Sequence, residues 1–369
     1  VDMATYKAEF LAHHYHGRLR PRSAYAMGLV MLWARLAARA PRFVNAVSHA
    51  PLLSNAVKFA GGLAQERELP RFAEQTFTAW FRAHKTRGPE SSRVILWPDT
   101  FNNFFLPETA IAATEVLEAA GFRVELPRGA LCCGRPLYDY GMLGLAKAFL
   151  ARILRVLRED IRAGVPVVGL EPSCVAVFRD EMLNLFPHDQ DAQRLAKQTF
   201  TLAEFLDRSG WKPPKLHGKA LVQRHCHHQA VMGFDTDKKM LDALGLELEI
   251  PDSGCCGMAG SFGYEHGEHY DVSMKCAERT LLPKVREASP DVLLVADGFS
   301  CREQIVQSTG RKTLHIAEVL RRAIERKPVH NSVHAAHTNG HVNGVARRIT
   351  LVAAGSLLAG AAIVWRTNH

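Results

Sequence analysis

A chain of 369 residues with 47% hydrophobic, 22% charged and 8% aromatic side chains can fill two or three apolar cores, so disorder as the main state is excluded. Ordinary Gly (27) and Pro (18) contents and few long uncharged stretches exclude collagen-like, coiled-coil and multi-span membrane classes. Forty-six basic against 37 acidic residues give +9 and a pI near 9.2, a charge that suits an anionic membrane surface or anionic substrates. No zinc-finger spacing, helix-turn-helix signal or aromatic-studded basic strand points to nucleic acid.

Residues 1–90 read as a basic helical segment, with helices over 6–14, 24–34 and, after Pro70, 71–84. The run 24–34 is too short to cross a bilayer and fits a buried or interfacial helix. From residue 92 the texture alternates: strand 93–97, helix 108–120, strand 122–126, helix 141–163, strand 165–170. That β-α-β order predicts a parallel sheet with helices on its faces.

The pattern then repeats. Leu131-Cys132-Cys133-Gly134 returns as Gly254-Cys255-Cys256-Gly257. Cys174 after one strand returns as Cys301 after another (291–296), and Ala203-Glu204-Phe205-Leu206 returns as Ala317-Glu318-Val319-Leu320. Matching the strand 94–97 to 221–224 sets Thr100 within one residue of Cys226, its counterpart in the repeat. The expected fold is therefore α/β, with two homologous parallel-sheet halves at 92–212 and 215–327.

Residues 328–346 form a polar linker with two Asn-Gly pairs and histidines at 330, 334, 337 and 341, a composition that favours turns over a metal-binding helix. Residues 347–369 form a hydrophobic tail whose run 349–365 is uncharged and bracketed by Arg347-Arg348 and Arg366. As a helix it would reach roughly 25 Å. It is a candidate membrane anchor, and the arginine pair would keep the body of the chain cytoplasmic.

Eight cysteines, all beyond residue 131, suit reduced thiols serving a metal or redox centre better than a disulfide framework. Cys226, the pair Cys255-Cys256, and Cys301 each follow a strand of the second half, which sets four thiolates at strand carboxyl ends, where α/β sheets build their sites. Soft thiolates select iron-sulfur clusters, zinc or copper(I), and the long spacing is unlike the knuckles of structural zinc sites. Buried reduced cysteines without metal are the plainer alternative. His225, His227 and His228 flank Cys226, where an imidazole serves a metal, a proton relay or simply a strand end. Gly257 opens a glycine-rich turn that lets backbone pass close to a centre. Arg135, Glu171 and Asp297 lie beside the cysteines, to tune charge, hold an anion or form surface ion pairs, and Cys276 reads as packing.

One Cys, a Cys-Cys-Gly and a later Cys, occurring twice, resembles the cysteine-rich CCG domain of the heterodisulfide reductase B polypeptide and of glycolate and lactate oxidase iron-sulfur subunits. Val1 to Phe10, Asp99-Thr100-Phe101-Asn102-Asn103, Cys132-Cys133-Gly134-Arg135-Pro136-Leu137-Tyr138-Asp139 and Gly169-Leu170-Glu171-Pro172-Ser173-Cys174 resemble the carboxyl-terminal region of bacterial FAD-linked oxidases of the D-2-hydroxyglutarate dehydrogenase type. The resemblance implies a 4Fe-4S cluster, of cubane or non-cubane type, held through Cys226, Cys255, Cys256 and Cys301 with Gly257, His225 and His227 around it. It also implies that residues 1–90 follow a ferredoxin-like module, that FAD sits on an upstream domain or a partner subunit, and that a quinone or other acceptor takes the electrons.

The family pattern has departures. Thr100 and Glu171 stand where the first half would carry two further thiolates, leaving Cys132, Cys133 and Cys174, whereas the second half lacks only the one replaced by Gly298. The expectation is a cluster in the second half and a first half that is structural, zinc-bound or part of a shared site. The expected function is electron transfer in an FAD-dependent 2-hydroxy-acid dehydrogenase (D-2-hydroxyglutarate, D-lactate or glycolate class), with no catalytic residue assigned to this chain. A heterodisulfide-reductase-like redox subunit and a zinc-stabilised interaction module are the alternatives.

Overall fold

The computed structural model describes residues 3–326; the linker histidines and the hydrophobic tail lie outside them. Among the described residues seven short strands make two all-parallel sheets. The first holds β1 (Arg93–Leu96), β2 (Arg123–Glu125), β3 (Val167–Gly169) and β4 (Thr199–Thr201) in the order β2-β1-β3-β4. The second holds β5 (Gly218–Gln223), β6 (Leu246–Glu249) and β7 (Leu293–Ala296) in the order β6-β5-β7. Leu314 makes a parallel bridge to Val295 where a counterpart of β4 would stand, so the sheet order is duplicated along with the sequence.

The inner strands are buried apolar runs, as expected of strands with helices on both faces: β3 and β7 are buried throughout, and only Arg93 of β1 reaches towards water. The two halves share one core. The helix Pro107–Ala119 brings Ala110, Ala113, Val116 and Leu117 to it, and the helix Ile316–Ile324 brings Ala317, Val319 and Leu320. Each half closes with the same device. Thr201 caps the helix Leu202–Arg208 with Glu204 reaching back, and His315 caps the helix Ile316–Ile324 with Glu318 reaching back. These are the repeated Ala-Glu segments of the sequence.

Several helices differ from their expected bounds. The run 24–34 is two helices, Arg22–Gly28 and Val30–Ala37, parted at Leu29, whose φ of −96° and ψ of 21° leave the helical region. The stretch 71–84 is helical only over Phe77–Ala83, where Thr76 supplies the cap by accepting from the Ala79 N–H. The stretch 141–163 breaks at Leu157, a core residue, into Leu143–Val156 and Arg158–Arg162. Two helices, Pro41–His49 and Pro51–Gly61, and the strand β4 had no counterpart in the sequence reading. Each of those helices starts on a proline at its first turn and leaves large apolar residues such as Phe43 and Leu52 exposed, so neither shows a clean buried stripe. Among the described residues no helix is long and apolar enough to cross a membrane.

The amino-terminal helices lie over the cysteine ends of both sheets. Arg20 donates to the carbonyls of Tyr140 (2.6 Å) and Gly141 (2.9 Å), and buried Arg67 donates to the Gly263 carbonyl (2.8 Å) and Ser273 Oγ (3.1 Å).

Candidate metal centre

The crevice at the carboxyl ends of the strands, where the order reverses around the central strand, is where a doubly wound sheet places its site. In the second half it receives Cys226 just past β5, Cys255 and Cys256 in the loop after β6, and Cys301 on the helix Phe299–Thr309 after β7. Their side chains interact in a chain: Cys226 with Cys255, Cys255 with Cys256, Cys256 with Cys301. Cys256 and Cys301 are buried, Cys255 is half-buried and Cys226 is exposed, so the group runs from the core to the surface.

Packing four sulfurs together makes their charges compete. Contact with Cys226 and Cys256, aided by the Gly257 N–H at 3.3 Å from Cys255 Sγ, pulls the Cys255 thiol far below its ordinary range. The same contacts, then burial, push Cys226 and Cys256 far above theirs. Thus Cys255 gives up its proton easily while Cys226 and Cys256 resist. Only a cation at the centre lets all four ionise, so the donor set fits a soft metal or an iron-sulfur cluster.

Two glycines make room. Gly257 has φ +89° and a Cβ there would strike the Ser273 carbonyl. A Cβ at Gly298 would strike the His225 ring. The imidazole of His225 thus occupies the space where the family pattern has a further cysteine. His225 is buried with Nδ1 lacking a hydrogen-bond partner, and burial, then the neighbouring imidazoles of His227 and His228, lower its pKa to about 3. A neutral ring at neutral pH is the form that ligates a metal. One ligand atom each of His225, Cys226 and His227 falls within 4.8 Å of the others. His227 also meets Arg135 at 3.2 Å.

The first half is built differently. Cys133 and Cys174 stand 3.1 Å apart, Cys132 contacts Cys133, and Thr100 Oγ1 lies 3.6 Å from Cys132 Sγ. All four residues are buried. The Cys133 contact and burial push Cys132 well up, and Cys174, although its contact with Cys133 pulls it down, is raised to about 11 by burial and by the carboxylates of Asp99 and Glu171. Small helices cover Cys132: Gly28 to Leu32, with Pro136 and Phe149, line a tight apolar cavity beside it.

Of the roles open to Arg135, Glu171 and Asp297, exposed ion pairing is not what is seen at the first two, which are buried. Arg135 pairs with buried Glu181 and, at 3.0 Å, with Asp139. Glu171, instead of offering a ligand, joins the halves: Oε1 accepts from Ser173 Oγ (2.9 Å) at its own helix, and Oε2 accepts from the N–H of Phe299 (2.9 Å) at the start of the helix that carries Cys301. Burial, then the neighbouring Asp99, raises its pKa to about 7. In return His315 of the second half reaches the Leu170 carbonyl through Nε2 (3.0 Å) while Nδ1 accepts from Ala317 (3.0 Å), which places its proton on Nε2. Asp99, which accepts from the N–H groups of Phe101 and Asn102 (2.9 Å each), and His315 were not singled out in the sequence. Asp99 stands where a helix cap is expected, and the repeat aligns His315 with the cap Thr201, so both were within reach of capping rules. Cys276 lies in the last turn of the helix Glu268–Glu278 and is only partly buried.

Duplicated parallel sheets with thiols gathered at their carboxyl ends define a tandem cysteine-bearing α/β protein. The cysteine-rich CCG domain matches residues 100–179 and 223–305, and the chain belongs to that family. It is 26% identical over 340 residues to the D-2-hydroxyglutarate dehydrogenase of Pseudomonas putida, which covers 88% of this chain and 33% of that protein. It is 29% identical over 265 residues to the C polypeptide of the anaerobic glycerol-3-phosphate dehydrogenase of Escherichia coli (70% of this chain, 66% of that protein). Against lactate utilization protein A of Bacillus velezensis it is 31% identical over 248 residues (62% and 98%). The chain therefore spans about a third of the first of these relatives and just under two thirds of the second.

Proposed function

We propose that this chain is the iron-sulfur electron-transfer region of an FAD-dependent dehydrogenase acting on a 2-hydroxy acid, working with a flavin domain or subunit and a ferredoxin-like module. The observation that carries the proposal is the run of four interacting cysteines, Cys226, Cys255, Cys256 and Cys301, at the strand ends and open to the surface at one end. The names of the relatives, two of them dehydrogenases or parts of one and the third tied to lactate, support the reaction class. On this reading 92–212 and 215–327 are the two CCG-type domains and residues before 90 are the connector.

A cluster of the 4Fe-4S class, held by those four thiolates, would supply one-electron chemistry between flavin and a quinone or other acceptor. The protein's share is to set the charge and access of that centre. Gly257 donates its N–H to sulfur, which offsets part of the negative charge gathered there. His225 stands neutral where a further thiolate is missing, sparing the site one negative charge. Exposed Cys226 gives the acceptor a short approach.

The test is to purify the full chain without oxygen and count iron and acid-labile sulfide. Both present, with visible absorption that bleaches on reduction, is the expected result. A colourless protein carrying about one zinc and no sulfide would replace the proposal with a zinc-stabilised scaffold.

A further inference from the structure

Next to the sulfur group is a second set of donors. His228 opens the single π-helical turn His228–Met232, Asp237 lies in the first turn of the helix Asp235–Ala243, and Asp297 directly follows β7. Three separate segments of the second half thus bring one imidazole and two carboxylates together, with one ligand atom from each within 4.8 Å of the others. A π turn is an uncommon departure from helix, often kept where it aims a side chain at a site.

His228 and Asp237 are each 2% exposed. His228 Nε2 lies 3.0 Å from Asp237 Oδ2 with poor hydrogen-bond alignment, and His228 Nδ1 has no hydrogen-bond partner. Two donors on adjacent positions of an ion, each about 2.1 Å from it, are about 3.0 Å apart, and donors on opposite positions about 4.2 Å. The spacing and the misaligned N–H therefore suit two ligands of one ion better than a hydrogen bond. Charge points the same way. Among the described residues neither Asp237 nor Asp297 has an Arg or Lys ion pair; Asp297 accepts from the Ile316 N–H (2.8 Å) and lies 3.6 Å from His315, whose proton goes to Leu170. Glu204, the other carboxylate near enough to act on the pair, is engaged by Arg179. A protonated His228 would offset one buried negative charge, whereas a divalent cation offsets two.

We propose that His228, Asp237 and Asp297 bind a divalent first-row cation of the zinc or iron(II) type, separate from the sulfur site. One imidazole with two carboxylates is a donor set of borderline hardness, matched to those ions rather than to copper(I) or to a cluster. Bound there, the cation ties the segment after Cys226 to the strand end before Cys301 and so fixes the spacing of two sulfur ligands.

The test uses the full chain, purified anaerobically and dialysed against a chelator, with Co²⁺ as the probe. Wild type should take up one equivalent that Asp237→Asn does not, with at least about tenfold weaker binding in the variant. The difference spectrum should show weak visible d–d bands and no thiolate charge-transfer band. Asp297→Asn serves as the second variant should Asp237→Asn fold poorly. Iron and sulfide are counted in parallel, so loss of the cluster reading and loss of this one are told apart: sulfide should be equal in wild type and variants. Equal Co²⁺ uptake by wild type and Asp297→Asn, or a thiolate band in the difference, overturns the proposal and leaves a buried His228–Asp237 ion pair.

Discussion

The two halves share a sheet order, a closing capping box and a Cys-Cys-Gly turn, yet their cysteine ends differ in kind. The first is sealed: three buried sulfurs, a threonine hydroxyl in the fourth place and a carboxylic acid in the fifth, used as a cap. The second has four cysteines interacting in a chain and an exposed edge at Cys226. Duplication preserves the scaffold, because strand ends and helix starts are fixed by backbone chemistry. The ligands are side chains and can be lost singly. A site that has lost two is free to become structure, and here Glu171 has done so by holding the neighbouring helix that bears Cys301.

The glycines offer the sharpest contrast. Gly257→Ala should cost more than about 3 kcal/mol and strip metal from the second half, because its φ of +89° is joined by a collision with the Ser273 carbonyl. Gly134→Ala, at φ +79°, meets only ordinary contact with Ala146 and should cost about 1 kcal/mol with iron content unchanged. Urea unfolding of both variants measures the difference; equal costs would mean that the turns are equivalent.

Glu171 gives a smaller, pH-dependent effect. In the folded chain its carboxyl keeps the proton up to about 7, against 4.5 for the ordinary group, so the folded state holds a proton that the unfolded state has released between those values. Its contribution to stability is therefore full below 4.5 and is lost as pH rises to 7. Glu171→Gln, neutral throughout, should flatten that fall by up to about 3 kcal/mol. Urea midpoints at pH 5 and pH 8 read it, and an unchanged slope would mean that Glu171 is ionised when folded.

Thr100→Cys should perturb stability least, by under about 1 kcal/mol, since the new thiol replaces a hydroxyl already 3.6 Å from Cys132 Sγ. It should nonetheless raise the metal bound by the first half, read as added iron or zinc per chain. No gain would mean that Glu171 and the sealed wall, rather than the missing sulfur, limit metal binding by this half.

Fold class, duplication and the four converging cysteines were legible because each rests on local pattern: apolar runs for buried strands, Cys-Cys-Gly for a turn, and Cys226 and Cys301 just past strands. β4 was not, being three residues with one only partly buried. The roles of Glu171, His315 and Asp237 were not either, since each depends on a partner beyond its own segment: Phe299, Leu170 and His228. The sequence marked Gly298 as a lost ligand; the structure adds the reason a side chain is excluded, which is the ring of His225.

The central claim, one cluster and in the second half, is tested most directly by iron and sulfide counts on anaerobic wild type, Cys256→Ser and Cys133→Ser measured side by side. Cys256 interacts with two of the other three cysteines, so its loss should remove most iron and sulfide and lower the Tm, because ligand binding adds to folding stability. Cys133→Ser should leave both counts near wild type. Equal losses would instead point to one site shared between the halves, and loss in Cys133→Ser alone would place the cluster in the first half and contradict the account.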